Sequence, residues 1–280
     1  MRSAEQRVAL RTLVASPIYE LVPLGAARDD AAALPSSTRV TITTSARLGL
    51  DATVSLAEWL AARGHDVAPH IAARLVRDRA HVSDIIARLG SANIRKVFVV
   101  GGDSAPVGDI KDGLSLIRAM HDIGHRFDEI GVPAYPDGHP TIPDDVLLRD
   151  LWEKQPLVQW MTTQMSFNPH AVAAWVSRVR RAGIVLPMHL GIPGVVGLRK
   201  LTSIAARIGV ADSARYLMKH RGLLGHLAQL GSFGPDDFLE DFAPTLADPE
   251  ANVRALHVFT MNQVAATVTW QQKMLDELRT

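Results

Sequence analysis

The chain has 280 residues, a length that suits one barrel-sized domain of about 250 residues with some extension. Its 30 basic and 29 acidic side chains give a formal charge of +1, which excludes the broad basic surface of a nucleic-acid binder. With no cysteine and no apolar run near the ~18 residues of a membrane span, the sequence predicts a cytoplasmic, disulfide-free globular protein that is not membrane-bound.

Short apolar runs alternate with amphipathic stretches along the chain, after an N-terminal segment (residues 1–16) whose charged side chains recur at helical spacing and lack a signal-peptide core. The eight predicted strands are Ile18–Val22, Arg39–Thr44, Asp66–Ile71, Lys96–Gly101, Glu129–Ala134, Val158–Gln164, Ile184–Leu190 and Leu256–Thr260. Most of these runs are continuously apolar, as is typical of parallel strands buried on both faces. The predicted helices between them include Ser55–Arg63, Val82–Leu89 and Pro169–Ala182. This alternation predicts an α/β fold, a closed (β/α)8 TIM barrel that forms a single domain over residues 1–280.

The longest gap in this pattern separates the seventh and eighth predicted strands. Within it, residues 209–252 form a helical insertion with the predicted helices Ser213–His220, Gly222–Leu230 and Pro235–Phe242. The insertion is either a solvated addition or a wall of the functional site, since it follows the seventh strand. The last predicted helix, Val264–Leu278, closes the barrel, and the pattern leaves open whether it also forms a homo-oligomer interface.

Barrels of this kind carry their chemistry at the C-terminal ends of the strands. The residues at the predicted strand ends are Glu20, Thr43, His70, Asp103, Tyr135, Gln164, the loop Gly191–Gly194, Thr260 and Asn262. Two carboxylates and a carboxamide suit a heteroaromatic ligand, because carboxylates accept N–H bonds and an amide both donates and accepts. Gly101-Gly102-Asp103 is neither a P-loop nor a dinucleotide fingerprint. His121 and His125 stand four residues apart but lack a third ligand, so no metal site is predicted.

Eight segments, in chain order, match the strand ends of one known family. They are Tyr19–Pro23, Val40–Thr44, Ala68–His70, Gly102-Asp103, Ala134–Pro140, Thr163–Phe167, Ala182–Ile184 with Gly191–Gly194, and His257–Asn262. From Ser16 onward the chain resembles the methylenetetrahydrofolate reductase family in its short bacterial form. The resemblance implies reduction of 5,10-methylenetetrahydrofolate to 5-methyltetrahydrofolate by NAD(P)H, usually with FAD as relay. A tetrahydrofolate-dependent methyltransferase or a non-catalytic folate-binding member on the same barrel is the alternative.

The resemblance also implies roles for individual residues. Glu20 would be the general acid that protonates the leaving amine as the imidazolidine ring opens, a task for a partly desolvated carboxyl group; a structural ion pair is the alternative. Asp103 would accept the pterin N–H groups and stabilise the developing cation, unless it caps the following loop. Gln164 would bind the pterin edge, unless it is a core amide bonded to the backbone. The matching cofactor-binding positions are Thr43, Ala46, His70, Gly102, Asp103, Tyr135 and His139.

Several family positions differ in this chain, and most of them concern the flavin. Gly101 stands in place of an arginine, residues 110–113 replace an aromatic-alanine element, and the basic residues before strand six are reduced to Arg149 and Lys154. Each charged contact is worth about 1–3 kcal/mol, so FAD binding stays open and direct hydride transfer from NAD(P)H is the alternative. Gln263 replaces the family's folate-binding arginine, and the expected substitutes in binding the anionic folate are Lys200, Arg199, Lys219 or Arg221.

Overall fold

The structure, a computed structural model, describes residues 3–197, 232–233 and 235–279. Eight parallel strands close into a barrel: β1 Ile18–Leu21, β2 Arg39–Ile42, β3 Asp66–Ala72, β4 Lys96–Val100, β5 Glu129–Ala134, β6 Trp160–Thr163, β7 Met188–Pro193 and β10 Val253–Phe259. The barrel closes between its first and last strands, where Glu20 is paired with Phe259. A short antiparallel pair outside the barrel consists of β8 Val196–Gly197 and β9 Ser232–Phe233. The predicted (β/α)8 barrel is confirmed.

Helices surround the barrel. Those described are α1 Ala4–Ala15, α2 Ala27–Ala31, α3 Gly49–Ala61, α4 Arg79–Ser91, α5 Gly113–Ile123, α6 Asp144–Lys154, α7 Pro169–Arg181, α8 Asp236–Ala247 and α9 Val264–Glu277. The N-terminal helix is confirmed as α1, and it begins with a capping box between Ser3 and Gln6. In the insertion, α8 confirms the predicted helix at Pro235–Phe242 and extends it to Ala247. The helices predicted at 213–220 and 222–230 lie outside the described residues, as do Lys200, Arg199, Lys219 and Arg221.

The last helix, α9, is hydrogen-bonded to β1, to α1 and to α8. On α9, the side chain of Gln271 accepts a hydrogen bond from the Tyr19 hydroxyl at 2.5 Å and donates one to the Val14 carbonyl at 2.8 Å. Trp270 donates to Asp236 at 3.2 Å, which joins α9 to α8. This packing agrees with the predicted closing role of the helix. Among the described helices, none has the length and apolar character that crossing a bilayer requires.

The seventh strand differs from its predicted bounds. It runs over Met188–Pro193 rather than Ile184–Leu190, so most of the predicted Gly191–Gly194 loop belongs to the strand. Ile184 and Leu186 are buried, which explains the apolar run, but they precede the ladder. The backbone there bonds to a side chain instead, because Gln155 accepts from the Val185 N–H at 2.6 Å. The eighth barrel strand, β10, also begins three residues earlier than predicted and ends at Phe259.

Side chains of the barrel strands alternate between the helix layer and the barrel interior. Tyr19 points outward to α9, whereas Glu20 contacts His70 on β3, a strand that is not its neighbour, which requires that Glu20 lie inside. The interior also holds a stack of rings across the barrel. Ring centroids are 4.6 Å apart for His70 and Phe98, 6.4 Å for Phe98 and Trp160, and 5.5 Å for Trp160 and His189. The interior of this barrel is therefore largely aromatic and polar.

Candidate active site

Glu20 lies at the C-terminal end of β1 with 8 % of its surface exposed. Its Oε2 is 3.1 Å from Nε2 of His257 on β10 and 3.6 Å from Nε2 of His70 on β3. The backbone is fixed as well, since the Thr260 hydroxyl donates to the Glu20 carbonyl at 2.6 Å. Glu20 is thus a nearly desolvated carboxyl group held between two histidines.

The contact between Glu20 and His70 is not an ion pair at neutral pH. Burial lowers the pKa of His70 to about 4, against the opposing effect of the nearby Glu20 carboxylate, and His257 adds to the lowering. His70 is consequently neutral near pH 7.

The loop after β10 positions the end of β1. The side chain of Asn262 accepts from the Val22 N–H at 2.8 Å and donates to the Val22 carbonyl at 3.0 Å. Met261 and Asn262 both have positive φ, 51° and 60°, a conformation that turns the chain back towards β1. These two bonds anchor the backbone two residues beyond Glu20.

Asp103 lies in the loop that follows β4, where its carboxylate is exposed and makes no hydrogen bond or ion pair within the described part of the chain. The loop itself is braced: Arg74 donates from its backbone to the Gly101 carbonyl at 3.0 Å, and Gly102 adopts a positive φ of 90°. The helix cap in this region is Asp112, which accepts from the Ser115 N–H at 2.8 Å. The carboxylate of Asp103 is therefore available to a ligand.

Tyr135 lies close enough to Asp103 for the negative charge of that carboxylate to affect the Tyr135 hydroxyl. Burial raises the pKa of Tyr135 to about 12, with further contributions from the Asp103 and Asp150 carboxylates. Its ring meets that of His139 edge-on, with centroids 5.1 Å apart. The predicted positions Asp103, Tyr135 and His139 thus form one neighbourhood at the C-terminal end of the barrel.

Gln164 follows β6 at the same end and is half-buried. Its backbone N–H donates to the Ala134 carbonyl at 2.7 Å, and its side-chain oxygen accepts from the Met165 N–H at 2.9 Å. The amide NH₂ makes no hydrogen bond to any described residue. Gln164 therefore combines the expected backbone bond with two donors that can face a ligand.

Of the two other predicted cofactor positions, Thr43 follows β2 and is half-buried, and its carbonyl accepts from the Thr53 hydroxyl at 3.1 Å. Ala46 is exposed in the loop beyond it. Gln263, which stands where the family has an arginine, is exposed just before α9. Parallel strands bring all these loops to one face of the barrel.

The sequence missed His257 as a site residue. It is 1 % exposed, and its Nε2 lies 3.5 Å from the Thr41 hydroxyl in addition to its contact with Glu20. The alternation of side chains along β10 could have indicated it, because His257 and Phe259 lie on one face of the strand and Leu256 and Val258 on the other. His189 on β7 also points inward, but it is half-buried and makes no hydrogen bond or ion pair with Glu20.

The flavin implied by the resemblance carries an anionic diphosphate, and the basic residues before strand six are the side chains expected to bind it. On α6, Lys154 is buried and bonded to Asp150 at 2.5 Å, and Arg149 lies 3.9 Å from Asp145. The helix also begins with Asp144, so carboxylates outnumber cations along it. These residues do not fit the diphosphate of FAD, since a like-charged surface repels it.

A comparison with known protein families was made for the whole chain. The family model described as methylenetetrahydrofolate reductase matches residues 26–274. The matched range extends from just before α2 into α9 and includes Asp103, Gln164 and His257. Glu20 precedes it, so the position of Glu20 in the site rests on the barrel geometry.

Proposed function

The chain belongs to the methylenetetrahydrofolate reductase family, and from this we propose that it reduces 5,10-methylenetetrahydrofolate to 5-methyltetrahydrofolate with NAD(P)H. The observation that carries the proposal is the buried carboxyl group of Glu20 beneath a barrel mouth where Asp103 and the amide of Gln164 are free for a ligand. An acid in a desolvated position and separate hydrogen-bonding groups are what this reduction requires.

In the proposed reaction, Glu20 donates its proton to the leaving amine nitrogen of the imidazolidine ring. The C–N bond breaks, and the methylene carbon becomes an iminium. The hydride of NAD(P)H then adds to that carbon, which gives the methyl group and NAD(P)⁺. Asp103 accepts hydrogen bonds from the pterin N–H groups and stabilises the cation, while the NH₂ of Gln164 donates to the pterin edge.

The family generally uses both flavin and NAD(P)H. For this chain we propose that the hydride passes from NAD(P)H without a bound flavin, because the acidic surface of α6 does not suit the diphosphate of FAD. The nicotinamide would then lie at the positions that the family uses for flavin, namely Thr43, Ala46, His70, Gly102, Tyr135 and His139. We also propose that the protein is cytoplasmic and that the chain forms a single domain.

The test begins with an absorbance scan of the purified protein, which should lack the bands of oxidised flavin. NAD(P)H should then be consumed when 5,10-methylenetetrahydrofolate is added, with one 5-methyltetrahydrofolate formed for each NAD(P)H lost. Methyl transfer without NAD(P)H would instead identify a methyltransferase. Folate binding without turnover would identify a non-catalytic member, and either result would overturn the proposal.

A further inference from the structure

The site contains a second titratable group in direct contact with the proposed acid. His257 is almost fully buried, and its Nε2 lies 3.1 Å from Oε2 of Glu20, within hydrogen-bond range. His70 also approaches this oxygen, but at 3.6 Å its Nε2 is too far for a normal hydrogen bond. His257 is therefore the residue that can exchange a hydrogen bond with the acid.

The other ring nitrogen of His257 is unusual. Its Nδ1 is buried and has no hydrogen-bond partner among the described residues. In most sites that use histidine, a second group bonds this nitrogen and so fixes the tautomer. Here no described group does so. Nε2 can consequently accept a bond from the protonated Glu20 carboxyl or donate one to the carboxylate, whichever state Glu20 is in.

The groups that face His257 come from four strands. They are Glu20 on β1, Thr41 on β2, His70 on β3 and His189 on β7. Burial lowers the pKa of His70 to about 4 and that of His189 to about 3, so both are neutral at pH 7. Within the described structure, Glu20 is then the one carboxyl group that faces His257, beside two neutral imidazoles.

We propose that His257 is a positioning residue that orients the Glu20 carboxyl group and stabilises the carboxylate left after proton delivery. This inference rests on the proposed function. The proton that reaches the substrate nitrogen leaves Glu20, and water supplies its replacement to the Glu20–His257 pair. Because hydrogen bonds to an ionised group are about twice as strong as neutral ones, an N–H donor at this point stabilises the Glu20 carboxylate that forms when the proton is delivered.

Two amide variants test the proposal, since each imitates one ring nitrogen. The amide of His257→Gln reaches about as far as Nε2 and keeps a donor beside Glu20, whereas the amide of His257→Asn reaches only to the place of Nδ1. We expect His257→Asn to lose about 10–100-fold in kcat, which is the loss typical when a residue that orients a functional side chain is removed, as is known for the residues that orient metal ligands. Its alkaline loss of kcat/KM should also move to higher pH. His257→Gln should keep kcat within about fivefold of the parent, with the pH profile in place.

A control histidine in the same barrel completes the design. His189→Gln removes a half-buried ring that makes no hydrogen bond to Glu20, and its kcat and pH profile should match the parent. Titration with an unreactive folate analogue should give the same affinity for all variants. Circular dichroism and thermal unfolding establish whether each variant is folded. If His257→Asn does not fold, the test is the comparison of His257→Gln with the His189→Gln control.

Equal losses in the two amide variants, or an unshifted pH profile in His257→Asn, would overturn the role of His257 while leaving the proposed reaction intact. Absence of NAD(P)H oxidation in the parent protein would instead remove the proposed function. The two failures are therefore distinguishable.

Discussion

Replacing Glu20 with Gln removes the transferable proton while the side chain keeps its size. In the structure Oε2 lies 3.1 Å from Nε2 of His257, and an amide at this position can still hydrogen bond to that nitrogen, so the barrel and its affinity for folate should persist. A positioned general acid contributes about 10²–10⁴-fold. We therefore expect kcat to fall at least about 10²-fold, which raises the activation free energy by about 3 kcal/mol.

The assay follows NAD(P)H oxidation at saturating 5,10-methylenetetrahydrofolate, beside a titration with an unreactive folate analogue. The matched control is Glu129→Gln at the opposite end of the barrel, where the carboxylate is 42 % exposed and lies 3.3 Å from Lys96. Such a pair is worth about 0–1 kcal/mol of stability, and its loss should leave kcat unchanged. A Glu20→Gln variant within about threefold of the parent kcat would refute the assignment of the general acid.

Three further predictions concern binding and stability. Asp103→Ala should weaken binding of a folate analogue by about 1.5–3 kcal/mol with unchanged stability, whereas Asp112→Ala should cost about 1 kcal/mol of stability by removing a helix cap, with unchanged affinity; similar profiles in titration and urea unfolding would contradict the distinction. Gly131→Ala places a Cβ 2.1 Å from the Trp160 ring and should destabilise the barrel by about 1–3 kcal/mol in urea unfolding, so an unchanged midpoint would contradict this packing. Below pH 6.5 the unfolded chain protonates His189 while the folded protein keeps it neutral down to about pH 3, so the free energy of unfolding should fall with decreasing pH across this window, by up to about 1.4 kcal/mol per pH unit. His189→Gln should make that slope shallower in urea unfolding measured across the same range, and an equal slope would count against a neutral His189 in the folded protein.

The fold could be predicted because the local signals and the barrel agree. The strand at Glu129–Ala134 has its predicted bounds, and α7 begins at Pro169 as predicted, where Asn168 caps the helix and proline suits its first turn. The seventh strand could not be placed, because burial of Ile184 and Leu186 has the same sequence pattern whether or not the backbone joins a ladder. The side-chain bonds of Gln155, Arg180 and Asn252 to this segment show which residues lie outside the ladder.

The site was partly predictable, for a related reason. Glu20, His70 and Asp103 stand at strand ends, and the order of the strands is enough to bring such positions to one face. The contact between Glu20 and His257 joins the first and last barrel strands, so it depends on closure and on register. A pattern along one strand shows which side chains point inward, but it does not show which of them meet across the barrel.

The interior of the barrel supports a functional interpretation of these polar residues on energetic grounds. Barrel interiors are usually filled with bulky branched apolar side chains. Here four buried atoms inside the barrel, on His70, Thr162, His189 and His257, have no hydrogen-bond partner among the described residues. Each such atom costs about 1–3 kcal/mol, a large amount against the total stability of about 5–15 kcal/mol of a typical protein. Aliphatic residues at the same places would avoid this cost, so stability alone does not account for the polar set. For His257, the contact with the Glu20 carboxyl group does, because a desolvated acid requires a neighbour that can hydrogen bond to it in both of its protonation states.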